Sequence, residues 1–158
     1  MEQGVMAAVR DMLGSRKVLC LAATIDGEPA ASLLPYAVAP DLQSVYVQAS
    51  KLAKHSRALE AGAKVSILFH GLDTDDMDPL QLPRLTIQAV VEPLERDTDE
   101  FNAASRVFLA RLPSAEMTLG FGDFTLYRMR FGHGRFVAGF AQAYNIGPDD
   151  FHEMARKG

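Results

Sequence analysis

Hydrophobic positions in the first fifteen residues recur every three to four places. Val5, Met6, Val9, Met12 and Leu13 share one face of a helix predicted over residues 3–13. The period then drops towards two. Strands are predicted at 17–25, 30–38 and 44–49, the first two joined by a tight Asp26-Gly27 turn that suits a hairpin. Ser50 is placed to cap a helix over 52–61, which Gly62 would end. In Lys64–His70, Val65, Ile67 and Phe69 alternate with Ser66, Leu68 and His70, a half-buried strand. A strand over 83–93 puts Leu85, Ile87 and Ala89 on one face and Arg84, Thr86 and Gln88 on the other. A helix from Asp97 to about Leu112 follows, and Pro113-Ser114 restarts a short one. Strands near 123–131 and 135–139 flank a Gly-His-Gly turn at 132–134, and the tail from Pro148 reads as helical. Six or seven short strands with a few helices predict a mainly β chain, a barrel with peripheral helices, in one domain over residues 1–158.

Composition narrows the function. The chain has 158 residues, 48% hydrophobic and 23% charged, enough for one substantial core. Its net charge of −4 argues against a nucleic-acid surface, and no apolar run has the length of a membrane span. The sole cysteine, Cys20, sits mid-strand between Leu19 and Leu21 as a small hydrophobe. No internal disulfide is possible, and with a helical N-terminus that does not read as a signal peptide, a cytoplasmic location is expected. Asp73, Asp75, Asp76 and Asp78 lie in an acidic loop over 71–82, but the glycine and closing glutamate of a calcium loop are missing. No nucleophile–base motif, zinc spacing or nucleotide-binding loop is present.

One candidate site stands out. The turn after the third strand collects Ser50, Lys54, His55, Ser56 and Arg57 within eight residues, next to a predicted helix N-terminus, where a phosphate would sit. Arg84 and Thr86 on one strand face form a second set of anion donors. Tyr36 and Tyr46 could edge a ring or serve as ordinary strand residues. His133 sits in its glycine turn and His152 in the tail, positions usual for surface residues.

Taken in order, Gly27-Glu28-Pro29, the strand Ser32–Ala37, the turn Ser50–Arg57, the strand Pro83–Ala89, and the segments Asp123–Arg128 and Gly139–Ala143 resemble the flavin-binding split-barrel family of pyridoxamine-phosphate-oxidase type, and within it the haem-utilisation branch. The resemblance covers about residues 18 to 143. It implies an FMN whose ring lies along Ser32, Leu33, Leu34, Pro35, Tyr36 and Ala37, with Lys54, His55 and Arg84 converging on its phosphate and Ser50, Ser56, Arg57 and Thr86 assisting. A deazaflavin would fit the same pattern. Ser32 stands where the oxidases carry a phosphate-gripping arginine, and the chain has no Trp to match their substrate motif. Oxidation of pyridoxamine phosphate is therefore not expected. The implied activities are flavin-dependent electron transfer to an unknown small acceptor, haem binding or degradation, and non-catalytic flavin binding. In the haem-degrading relatives an extra C-terminal domain often follows the barrel and its terminal region supplies the iron ligand; in this chain His133 or His152 would be the candidate ligand to haem. The resemblance also implies a homodimer joined around Ser32–Tyr36 and Phe121–Phe124, with no nucleic-acid or membrane partner.

Overall fold

The computed structural model describes residues 1–158. The first helix, α1 (Gln3–Ser15), buries Val5, Met6, Val9, Met12 and Leu13, the face set by its sequence period. Seven strands follow: β1 (Val18–Ile25), β2 (Glu28–Val38), β3 (Ser44–Ser50), β4 (Lys64–His70), β5 (Arg84–Pro93), β6 (Phe124–Gly139) and β7 (Gln142–Ile146). Between β5 and β6 lie α2 (Asp99–Arg111) and the short α3 (Glu116–Leu119), and α4 (Pro148–Arg156) ends the chain. All pairings are antiparallel, in the order β3-β2-β1-β4-β5-β6-β7. An additional β3–β6 ladder runs from Ser44↔Arg130 to Ser50↔Phe124 and closes the first six into a barrel. Each of the six pairs on both sides, although β2 meets β3 only over residues 36–38 and leaves 28–35 open on that side, and β7 is appended outside.

The barrel carries two cores, because its strands bury residues on both faces in one sector. The inner one joins alternate strand residues such as Leu21, Ile67, Ile87 and Met129 to α1 and to Phe151 and Met154 of α4. The outer one packs Phe101, Ala104 and Phe108 of α2 over Ala37, Tyr46 and Leu126. Thr98 caps α2 by accepting the Phe101 N–H at 3.2 Å. With α2 covering that sector, the outer faces of β1, β4 and β5 are left open.

Three expectations are corrected. Residues 52–61 do not form an α-helix: Lys54–Ala58 is a single 3₁₀ turn, its preceding residue Ala53 without a capping side chain. Ser50 instead donates to Asp123 Oδ2 at 2.7 Å and accepts the Leu52 N–H at 3.1 Å. Gly62, at φ +79°, turns the chain so that its N–H reaches the Val91 carbonyl at 2.8 Å. The Gly-His-Gly segment is no turn, because β6 runs unbroken through it. A Cβ on Gly134 would lie 2.6 Å from the Thr86 carbonyl oxygen and one on Gly132 3.2 Å from that of Gln88. These glycines let β6 press onto β5, where the register shifts between Ile87 and Ala89. Lastly, no strand is expected between residue 139 and the helical tail, yet after a turn at 140–141 Gln142–Ile146 forms β7.

Candidate functional site

Strand parity decides which predicted side chains can meet a ligand. On β2, Leu34, Tyr36 and Ala37 are buried, Ser32 is half-buried, and Leu33 (68% exposed) and Pro35 face out. Tyr36 cannot edge a ring with its side chain. Its hydroxyl donates to the Leu13 carbonyl at 2.6 Å, and its ring meets Phe69 edge-on at 5.1 Å. Burial pushes its phenol well above the usual tyrosine range. Tyr46 lies in the outer core with Arg128 over its ring. Strand alternation alone sets Leu34 and Tyr36 on the face opposite Leu33 and Pro35.

The turn after β3 holds its donors in structural work. Ser56 donates to the Ser50 carbonyl, and Arg57 pairs with Asp26 of the β1–β2 turn at 2.8 Å, both side chains exposed. Lys54 is exposed and His55 half-buried. Nearby Tyr127, bonded to Ser56, has its phenol raised by burial.

Arg84 and Thr86 lie elsewhere. The 3₁₀ turn sits by Asp26 and the Gly62–Val91 contact, whereas Arg84 starts β5 opposite His70. Arg84 and Val91 are seven positions apart along β5, roughly 23 Å at the usual rise. Within one chain, Lys54 and His55 do not converge with Arg84 on an anion.

What the structure does join to Arg84 is Arg135, which the sequence reading passed over. In the β5–β6 ladder Arg84 faces Val137 and Thr86 faces Arg135, so the two arginines are diagonal neighbours flanking the threonine. Arg84 Nη1 donates to the Leu82 carbonyl at 3.1 Å and Arg135 Nη1 to Asn145 Oδ1 at 2.8 Å. Both acceptors are neutral, so two positive charges stand together without a carboxylate partner. By contrast, Arg128 and Arg130 both reach Glu92. A pocket of about 370 Å³ opens beside the pair, edged by Leu80 and Phe140.

Further along the same outer face runs a groove of about 690 Å³. Ala22, Lys64, Ser66, Gln88, Val90 and His133 are among its lining residues. The ladders set Ala22 beside Ser66 and Ser66 beside Gln88, so small and polar side chains form its floor across β1, β4 and β5. These positions were legible only as the outward half of each alternation. His152, the other histidine weighed from sequence, is exposed on α4 with Nδ1 3.5 Å from Gln43 Nε2. The acidic loop holds its aspartates exposed, Asp78 accepting the Leu80 N–H at 2.9 Å. No cluster of three or more His, Cys, Asp or Glu side chains has metal-binding geometry.

Comparison with known proteins gives this architecture a family. The family described as pyridoxamine 5'-phosphate oxidase matches residues 5–138. Heme oxygenase HutZ of Vibrio cholerae is 32% identical over 147 residues, 90% of this chain and 81% of that protein. A crystal structure of HutZ, described as the heme storage protein of that organism, superposes with a TM-score of 0.64 at 26% identity, covering 79% of this chain and 88% of the other. The heme binding protein of Mycobacterium smegmatis shares the fold at a TM-score of 0.84 and 24% identity; 97% of this chain is covered, but the chain spans only 62% of that protein's length. The chain therefore belongs to the pyridoxamine 5'-phosphate oxidase-related split-barrel family, on its haem-utilisation branch.

Proposed function

We propose that this protein binds haem on the outer face of β1, β4, β5 and β6. The observation that carries the reading is the pairing of an open groove with two arginines that lack any carboxylate partner. A porphyrin is a flat apolar body with two carboxylates on one edge. The groove offers a broad seat with Ala22 and Val90 as its outward apolar parts, and Arg84 with Arg135 offers forked donors to the carboxylates. The 32% identity to a heme oxygenase supports the same ligand. Bound haem would supply the redox and dioxygen chemistry of its iron; the chain supplies seat, orientation and charge.

A flavin is the second reading, supported by the family match and by the outward backbone edge at Leu33 and Pro35. It lacks the single-chain phosphate cluster expected from sequence. We also propose that a second copy of the chain covers the exposed apolar row on β2, β1 and β4, making a homodimer around the ligand face.

Absorbance of the purified protein titrated with hemin, and separately with FMN, tests this. A saturable Soret band near about 400 nm supports haem, whereas bands near about 370 and 450 nm with no Soret response would replace it by flavin. Exchanging both Arg84 and Arg135 for Ala should weaken hemin binding by roughly 10- to 100-fold, the loss of one or two charge-assisted bonds. Unchanged affinity would remove the arginines from the site.

A further inference from the structure

We infer that Asn145 is a positioning residue that gives the ligand face its preference for carboxylates, by holding Arg135 in place without neutralising it. The inference rests on the haem reading above. Thr86, Arg135 and Asn145 are direct partners across β5, β6 and β7, so the strand appended outside the barrel brings an amide to the arginine. Arg135 Nη1 donates to Asn145 Oδ1 at 2.8 Å. Asn145 does not itself line the pocket beside the two arginines and acts there only through Arg135.

An acceptor at this position could be an amide or a carboxylate, which match in size and shape but differ by a full charge. The same β5–β6 ladder shows the other choice. Glu92 takes both Arg128 and Arg130, the latter at 2.6 Å, and those two cations are occupied within the chain. The amide of Asn145 leaves Arg135 its whole charge. A planar guanidinium tied at one nitrogen also keeps its fork oriented, so less freedom is lost when a ligand carboxylate arrives. Arg84 is held by a neutral oxygen too, but that oxygen is the Leu82 carbonyl, which no substitution can charge. Asn145 is therefore the position where a single side chain sets the charge of the pair. The lips of the pocket, Phe140 at 73% exposed and Leu80 at 67%, are apolar above this cationic floor. That combination matches the edge of a porphyrin, apolar around its carboxylates.

The test titrates the full-length wild type, Asn145→Asp and Asn145→Ala with hemin and with hemin dimethyl ester, whose carboxylates are masked, at several salt concentrations. Asn145→Asp should melt at or above the wild-type temperature, because the new carboxylate pairs with Arg135 at the surface. It should nonetheless bind hemin about 3- to 10-fold more weakly and with a shallower salt dependence. The diester should bind wild type and Asn145→Asp equally. Asn145→Ala keeps the charge and loses only the hold, so its hemin affinity should lie between the two. Unchanged hemin affinity in Asn145→Asp would overturn the inference while leaving haem binding intact. Equal losses for hemin and its diester would also overturn it, making Asn145 a structural residue of the β6–β7 ladder. So would an Asn145→Ala weaker than Asn145→Asp, because charge would then not be the deciding property. Failure of the wild-type protein to bind hemin would instead remove the haem reading, and the role of Asn145 with it.

Discussion

Tyr36 illustrates how one side chain is committed by its surroundings. It is 1% exposed, and its hydroxyl spans from β2 to the last turn of α1. Tyr36→Phe keeps the ring packing but leaves the Leu13 carbonyl without its donor, at a cost of about 1–3 kcal/mol. Denaturant titration should show that loss. The same phenol gives a pH signature. Burial raises its pKa above the ordinary 10.0, so above that pH the unfolded chain releases a proton that the folded chain retains. Fewer protons on the unfolded state mean that stability falls as pH rises beyond about 10, with Tyr127 acting in the same direction. Tyr36→Phe should flatten that alkaline decline. A decline of equal slope in the variant would assign it to other groups.

Among the elements, β6 departs most from its sequence reading. Two glycines around a histidine look like a turn when only local preference is considered. In the barrel they serve a different need, close approach between neighbouring backbones. Gly134→Ala forces a methyl to within 2.6 Å of the Thr86 carbonyl oxygen, and neither backbone can yield cheaply. The variant should lose about 1–3 kcal/mol and lower the melting temperature. Gly4→Ala, with nothing within 4 Å, is the control and should be neutral or stabilising, because it sits in α1. Equal melting temperatures for Gly134→Ala and wild type would mean that the ladder can slide. The 3₁₀ turn at Lys54–Ala58 teaches the converse: its composition suits a helix, but Ser50 and Ser56 are occupied in closing the turn.

Across the whole molecule, α2 covers one sector of the barrel and leaves another bare. On that bare sector the ladders set Leu33 beside Cys20 and Cys20 beside Leu68, an apolar row across β2, β1 and β4. Leu33 is 68% and Leu68 37% exposed. Burying such a row against a second copy removes it from water at roughly 25 cal/mol per Å². Sedimentation at micromolar concentration should therefore give a dimer, and the double change Leu33→Asp with Leu68→Asp should give a folded monomer. A wild-type monomer would leave the row without its proposed cover. Phe121, at 47% exposed, marks the second region of the expected interface.

The sequence by itself determined the elements with strong periodicity. The buried face of α1, the alternation of β4 and β5, the Asp26-Gly27 hairpin and the helix after Thr98 all follow from patterns only a few residues long, which local sterics and burial read directly. The order of motifs also identified the barrel family. Only the tertiary structure decided which candidate residues share a site. Lys54, His55 and Arg84 look like one anion set on residue type, yet strand register places them at opposite ends of β5. Arg135 and His133 join Arg84 and the groove only through the β5–β6 ladder, a pairing between segments some fifty residues apart. Long-range register depends on barrel closure and on the close backbone approach at Gly132 and Gly134, and no short pattern in the chain encodes either one.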